Sequence, residues 1–122
     1  YELHEDDRGR IADVFYKDNI NHVAFIYSKA GALRGNHYHK KTIQNVLVIK
    51  GSLEYWHKPL NSTEPAKCIV IKEGDIITSP PFEVHAFKVL KESEIIAFTE
   101  GLRGGKDYES DTFRVPSIVP NS

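Results

Sequence analysis

The chain has 122 residues, of which 40% are hydrophobic and 27% are charged, and its formal net charge is −1. This composition is typical of one globular domain with a core of adequate size. The near-neutral charge offers no basic surface for nucleic acid or for an anionic membrane. We therefore expect a single domain over residues 1–122, with a short C-terminal tail and with neither nucleic acid nor membrane as a partner.

The chain contains a single cysteine, Cys68, within the apolar segment AKCIVI. That setting favours a packing residue over a nucleophile. One cysteine forms no internal disulfide, which fits a reducing compartment. No apolar run is long enough to cross a bilayer, and no signal peptide is visible. We expect a cytoplasmic protein.

Short segments rich in Val, Ile, Phe and Tyr alternate with Gly, Pro and Asn-Asp turn signals along the whole chain, and no helical period exceeds two turns. The predicted strands are Ile11–Tyr16, Val23–Ser28, Leu33–His39, Asn45–Ile49, Leu53–His57, Lys67–Ile71, Asp75–Ser79, His85–Val89 and Ile95–Thr99. The pattern predicts an all-β sandwich or barrel, followed by a polar tail from Gly101.

The most informative segment is GALRGNHYHKKTIQNVLVIKG, which contains a His-x-His pair, His37 and His39. Successive side chains of a strand point to opposite faces, so these two histidines share one face. Two adjacent imidazoles can bind a metal, transfer protons or hold an anionic ligand. A third histidine, His85, lies in a second cluster, PPFEVHAF.

These two clusters resemble the two sequence motifs of the cupin superfamily. In the first motif Gln44 stands where cupins have glutamate, and in the second Phe82 stands where they have glycine. The matching residues are Gly31, His37, His39 and Gly51 in the first motif, and Gly74, Pro80 and His85 in the second. The resemblance implies a jelly-roll β-barrel in a single domain.

A closer resemblance is to the WxcM-like family of nucleotide-sugar 3,4-ketoisomerases. RGNHYHKKTIQNVLVIKGS is similar to the family's Arg-Gly-x-His-x-His-Lys-Lys run with its following Gln and Gly-Ser, and DYESDTFR resembles its closing Tyr-Glu-x-Asp segment. Such enzymes work without a metal, which makes a glutamine at position 44 expected. No cofactor is therefore favoured.

The dTDP-4-dehydrorhamnose 3,5-epimerases are a second family that the chain resembles. LRGNHY, EDDRGRIADVF and PPFEVHAFKVL are similar to segments of those enzymes. Their catalytic lysine aligns with Gln44, however, and their catalytic tyrosine falls near Ala97–Phe98, where this chain has no hydroxyl group. These departures speak against 3,5-epimerisation.

The resemblance implies proton transfer on a nucleotide-linked 4-keto-6-deoxy sugar through an enediolate. Histidine suits the base, and an imidazole or an amide suits the oxyanion donor. We assign His37 as the base at C3 and His39 as the proton shuttle between the sugar oxygens. Gln44 and His85 hold or polarise those oxygens, and Arg34 binds the diphosphate.

Other roles are assigned on weaker patterns. Tyr27 or Tyr55 is expected to stack on the base or sugar, and small barrels with exposed edge strands predict a homodimer. No larger pattern includes the remaining histidines, His4, His22 and His57, which are expected at the surface or in packing. The cationic residues of the tail are expected in solvent, with contact to a phosphate as the alternative; they are Arg103, Lys106 and Arg114.

Two other functions remain open at this point. One is a metal-dependent cupin, such as a small dioxygenase, that binds Zn, Fe, Ni or Mn through the three histidines and Gln44. The other is a module that binds a sugar nucleotide without turnover.

Overall fold

A computed structural model describes residues 2–15, 17–101 and 110–120, and these ranges contain strands but no helix. The all-β prediction is thereby confirmed. Nothing in the described ranges is a helix long and apolar enough to cross a membrane. The strands are β1 (Glu2–Asp6), β2 (Gly9–Asp13), β3 (His22–Ser28), β4 (Leu33–Tyr38), β5 (Ile43–Pro59), β6 (Lys67–Lys72), β7 (Ile76–Ser79), β8 (Glu83–Glu100) and β9 (Phe113–Arg114).

Two long antiparallel strands, β5 and β8, form the framework of the barrel, because each takes part in both of its walls. The first part of β5 pairs with the last part of β8, and these are flanked by β7 and β3; we call this wall the β3 sheet. The last part of β5 pairs with the first part of β8, and these are flanked by β6 and β4, with β9 beyond β4; we call this wall the β4 sheet.

The bend in β5 lies at Gly51, which has a φ of +97°. A Cβ atom added there would lie 2.5 Å from the carbonyl oxygen of Glu92 and 2.7 Å from the Cα atom of Ser93. Only glycine allows the two strands to cross so closely in this conformation. The pairing therefore continues through the bend with shifts of register, and the strands predicted on either side of it merge into single strands, β5 and β8.

The core packs between the two sheets and is built from the inward-facing apolar residues of β5, β6 and β8. Val46, Val48, Leu53 and Val89 are each 1% exposed. Alternation along β5 and β8 supplies these side chains, as the period of a strand requires. The core therefore fixes the distance between the two walls.

The ends of the chain differ from the predictions. The strand expected at Ile11–Tyr16 is β2, which ends at Asp13, and it pairs with the unpredicted β1 in a fully exposed hairpin. Tyr16 lies outside the described residues, as do Tyr108 and Glu109 of the closing segment. The tail is not simply polar chain, because β9 pairs with β4 and Val119 is buried.

Two further residues occupy unexpected environments. Cys68 is exposed, because the outer face of β6 points to solvent, and so the prediction that it packs in the core is wrong. Partial desolvation raises the pKa of its thiol, and Glu54 adds to the effect, which argues against an activated nucleophile. Phe82, at the place of the cupin glycine, adopts a φ of 64°, the conformation that glycine normally supplies.

Candidate active site

A cavity of about 290 Å³ lies between the β3 sheet and the β4 sheet. Its apolar lining comes mainly from Ile26, Phe87 and Ile95, which continue the core. Its polar lining comes from both walls and consists of His22, Arg34, His37, Gln44, Thr99 and Arg114. A mostly apolar cavity with a few converging polar groups is the usual form of a small-molecule site.

The three histidines of the two sequence motifs form one cluster beside this cavity. The ring centroids of His37 and His39 are 4.9 Å apart, those of His37 and His85 are 4.8 Å apart, and those of His39 and His85 are 5.2 Å apart. His37 lines the cavity, whereas His39 and His85 are completely buried and belong to the layer behind it. The predicted convergence of these side chains is therefore observed, but in two layers.

A β-bulge sets the direction of His37. Gly35 and Asn36 have φ values of 94° and 58°, and the register of β4 against β8 shifts between Gly35 and His37. A bulge of this kind redirects the following side chain. The backbone of Asn36 accepts a hydrogen bond from Val115, and its side chain accepts one from Ile118, so the tail helps to hold this segment.

Gly35→Ala is expected to disrupt the histidine cluster. A Cβ atom at Gly35 would lie 2.8 Å from the carbonyl oxygen of His85, and the φ of 94° is unfavourable for alanine. We expect the free energy of unfolding to fall by about 1–3 kcal/mol and turnover to fall with it. Urea denaturation and initial rates measure the two effects.

The matched control is Gly31→Ala, which also has a positive φ but no atom within 4 Å of the added Cβ. Equal losses of turnover in the two variants would contradict the prediction.

Backbone carbonyl groups fix the orientation of both buried histidines. Nδ1 of His39 donates to the carbonyl oxygen of Asp111 at 2.7 Å, and Nδ1 of His85 donates to that of Glu83 at 3.2 Å. In each neutral ring Nδ1 therefore carries the proton, and Nε2 is the acceptor. This arrangement is the one that usually orients imidazoles for proton transfer or for metal binding.

The carboxylate of Asp111 ties the tail to the turn that follows β4. It accepts hydrogen bonds from the backbone N–H groups of Lys40, Lys41 and Thr42 at 2.8–2.9 Å, and one from the Thr42 hydroxyl at 2.9 Å. Partial burial opposes ionisation, but these hydrogen bonds outweigh it and hold the pKa of Asp111 at about 2. The same residue thus fixes the turn and orients His39.

Gln44 connects the buried layer to the cavity. Its Oε1 atom lies 3.3 Å from Nε2 of His39, and its side chain also lines the cavity. When His39 is protonated, Nε2 donates to this oxygen. When His39 is neutral, a half-turn of the amide presents its NH₂ group to the ring instead. Glutamine can therefore serve both protonation states of His39, which an ionised carboxylate cannot do.

Two guanidinium groups line the cavity. Arg34 donates through Nε to the Ser28 hydroxyl at 2.7 Å and through Nη2 to the Tyr27 carbonyl oxygen at 3.2 Å, which fixes its planar group against the end of β3. Arg114 lies on β9 opposite His37 of β4. The sequence placed Arg114 in a solvated tail, but pairing with β4 brings it to the cavity.

The two tyrosines predicted to stack on a ligand lie elsewhere. Tyr27 is on the outer face of β3, where it is 44% exposed. Tyr55 is 2% exposed in the core, where its hydroxyl donates to Glu83 at 2.6 Å and lies 2.7 Å from the Ser79 hydroxyl. Burial, with the Glu83 carboxylate, raises the pKa of Tyr55 far above its ordinary value. Neither ring is among the described residues that line this cavity.

His22 is a cavity residue that the sequence motifs did not identify. It begins β3, and Ala24 and Ile26 on the same strand face also line the cavity. Alternation from the partly buried Ile26 predicts this direction, so the strand pattern contained the signal. His4 and His57 do not line the cavity; His4 lies on the exposed hairpin, and His57 stacks on Tyr55.

Comparison with solved structures identifies the barrel as a cupin-like jelly roll. A 3,4-ketoisomerase from Helicobacter canadensis is 17% identical, with a TM-score of 0.79 over 94% of this chain and 86% of that chain. A dTDP-4-dehydrorhamnose 3,5-epimerase from Sulfolobus tokodaii is 22% identical, with a TM-score of 0.68 over 84% of this chain and 68% of that one. The predicted fold class is confirmed.

The sequence also matches a known protein family. Residues 4–112 match the polysaccharide biosynthesis C-terminal domain, and the chain belongs to this family. The capsular polysaccharide assembling protein CapF from Staphylococcus aureus is 19% identical in sequence, with a TM-score of 0.72 over 95% of this chain. The chain spans only 34% of the length of CapF. No curated protein matches the chain.

Proposed function

We propose that this chain is an isomerase or epimerase of a nucleotide-linked 4-keto-6-deoxy sugar. The observation that carries the proposal is the histidine cluster, in which one imidazole lines a cavity that also contains two guanidinium groups. Similar folds occur in a 3,4-ketoisomerase solved with TDP and in a 3,5-epimerase solved with dTDP-4-keto-L-rhamnose. The cavity volume is near the lower end of small-molecule sites, about 300–1,000 Å³, which suits one sugar ring.

His37 is the proposed base, because it is the member of the cluster that reaches the cavity. A keto group at C4 acidifies the proton at C3, and removal of that proton gives an enediolate. His39 and His85 are completely buried and do not line the cavity, so the contacts with sugar oxygens predicted for them are replaced: they are proposed instead to accept or return protons behind His37, through its ring and through Gln44. The ability of Gln44 to pair with either protonation state of His39 supports such a relay.

Arg34 and Arg114 are the proposed diphosphate ligands, because planar guanidinium groups bind phosphate oxygens in pairs. Arg114→Ala is expected to raise KM about tenfold and to change kcat less than threefold, since a phosphate contact that does not change during the reaction contributes equally to ground state and transition state. Initial rates over a range of substrate concentrations measure both constants. Arg10→Ala, on the exposed hairpin, is the matched control. A fall in kcat at constant KM would contradict the assignment.

The test of the function is incubation with dTDP- and UDP-4-keto-6-deoxyglucose in heavy water, followed by proton NMR and metal analysis of the same sample. Deuterium at C3 or C5, with conversion to an isomer, is the expected result. The absence of both exchange and conversion with either nucleotide would reject the function.

The second candidate is a metal-dependent form of the enzyme, and the histidine geometry favours it specifically. Ligand nitrogens of His37, His39 and His85 lie within 4.8 Å of one another, and two of these rings donate Nδ1–H to carbonyl groups. Such second hydrogen bonds are typical of metal-binding histidines, so a divalent cation fits the cluster. The cation would supply Lewis-acid polarisation of a carbonyl oxygen. One equivalent of bound metal, with activity lost on chelation and restored on reloading, would establish this form.

We also propose that the protein is a cytoplasmic homodimer. The outer face of the edge strand β3 carries Val23, Phe25 and Tyr27, which are 57%, 62% and 44% exposed. An apolar sheet edge of this kind favours pairing with a second copy. Phe25→Glu is expected to convert a dimer into a monomer in sedimentation at micromolar concentration, whereas Phe82→Glu, at another exposed ring, is not. A monomeric unaltered chain would contradict the proposal.

A further inference from the structure

His22 and His37 lie on opposite walls of the same cavity. His22 belongs to β3, which pairs with residues 93–99 of β8, whereas His37 belongs to β4, which pairs with residues 85–88 of β8. These two parts of β8 lie in different sheets, and both histidines line the space between them. A ligand held in the cavity therefore has one imidazole on each side.

The β3 sheet offers one ionisable side chain to a ligand. Among its described cavity-lining residues, His22 is the only one with an ionisable side chain. The others are aliphatic, amide or hydroxyl side chains, namely Ala24, Ile26, Gln44, Ile95, Ala97 and Thr99. Any acid or base acting from this wall must therefore be His22, within the described part of the chain.

The environment of His22 also differs from that of the clustered histidines. Its Nδ1 atom is buried and has no hydrogen-bond partner among the described residues. A buried polar atom without a partner is uncommon and points to a group that a ligand completes. His39 and His85, by contrast, have Nδ1 tied to backbone carbonyl groups. The described residues therefore offer no backbone carbonyl group to Nδ1 of His22.

Backbone pairing nevertheless fixes the position of His22 relative to the polar residues of the neighbouring strands. Its register partner on β8 is Thr99, which is in turn the partner of Gln44 on β5. The three side chains form a polar row across adjacent strands, about 4.8 Å apart. Because Gln44 contacts His39, this row faces the same end of the cavity as the histidine cluster.

From this juxtaposition we propose that His22 is a second catalytic residue, which delivers a proton to the enediolate on the face opposite His37. The inference rests on the proposed function. His37 takes the proton from C3, and the electron pair of the broken C–H bond enters the enediolate. The N–H bond of protonated His22 then breaks as a new C–H bond forms on the opposite face of C3, and the electron pair of the enediolate returns to restore the C4 carbonyl group. Water returns one proton to His22 and removes one from His37, so the step consumes no oxidant or reductant.

The test compares His22→Gln with the unaltered chain in heavy water, with the exposed His4→Gln as the control. We expect His22→Gln to retain exchange of the C3 proton within about threefold, because His37 remains. We expect formation of product inverted at the reprotonated carbon to fall by about 10² or more. Thermal melting shows whether the fold is intact, and His22→Ala repeats the test without an amide.

Each other outcome has a separate meaning. A rate of inverted product within threefold of the unaltered chain, or a change in KM alone, rejects the role of His22 and leaves the proposed function standing. Equal losses of exchange and of product in folded variants also reject it, as does an unaltered chain that exchanges the proton without inversion. Absence of exchange in the unaltered chain rejects the proposed function and this inference together.

Discussion

His37→Ala is expected to lower kcat by a factor of about 10²–10⁴, the usual contribution of a positioned base. His37 is the member of the histidine cluster that lines the cavity, and no other imidazole on the β4 sheet does so among the described residues. Deuterium incorporation at C3 should fall by the same factor as turnover, because both depend on removal of that proton. NMR in heavy water measures both rates. His39→Ala is expected to abolish turnover as well.

The fold should survive the loss of the His37 side chain, since that side chain faces the cavity and is only partly buried. Thermal melting of the variant is the first control, and His4→Ala, on the exposed hairpin, is the second. Added imidazole should restore part of the rate, because the vacated space opens to the cavity. Turnover above one-tenth of the unaltered rate in folded His37→Ala would exclude it as the base.

Asp111→Asn is expected to lower the free energy of unfolding by about 2–3 kcal/mol at neutral pH. An amide replaces one acceptor oxygen with a donor, which faces the backbone N–H groups of Lys40, Lys41 or Thr42. Turnover should fall about tenfold as well, because the carbonyl group that orients His39 belongs to the same residue. Urea denaturation and initial rates measure the two effects.

The pH dependence of stability provides an independent check on Asp111. Its pKa is about 2 in the folded chain against an ordinary value of 3.8, so the unfolded chain binds this proton more readily. The contribution to stability is therefore complete above about pH 4 and is lost as the pH falls towards 2. In Asp111→Asn the free energy of unfolding should no longer fall for this reason between pH 4 and pH 2. In Asp7→Asn, which alters the exposed turn between β1 and β2, that fall should remain. Identical slopes in the two variants would contradict the assignment.

The convergence of His37, His39 and His85 was predictable because motif spacing encodes local geometry and motif order encodes which strands meet. His37 and His39 are close in sequence, and His85 is the register partner of His37 on the neighbouring strand. The two-layered arrangement was not predictable, because it depends on the bulge at Gly35 and Asn36. Strict alternation of side chains along a strand predicts only that His37 and His39 lie on the same face.

Residues that depend on distant register were the ones missed. Asp111 bonds a turn about 70 positions earlier, and no local pattern contains that contact. Arg114 reaches the cavity only because two residues of the tail pair with β4. Tyr55 was misjudged for a similar reason, since its hydroxyl partners, Ser79 and Glu83, come from other parts of the chain. Aromatic character alone cannot distinguish a ligand platform from a core residue.

The two walls of the cavity differ in how firmly hydrogen bonding holds them. Strand β4 lies between β8 and β9, whereas β3 pairs with β8 alone among the described strands. Every second amide of β3 therefore points away from the barrel, and in the monomeric Phe25→Glu variant those amide protons should exchange with heavy water sooner than the paired amide protons of β4. The wall that carries His22 thus has fewer backbone hydrogen bonds than the wall that carries His37, unless a second copy supplies them. Slow exchange along the outer edge of β3 in the unaltered chain would report that the proposed second copy covers it.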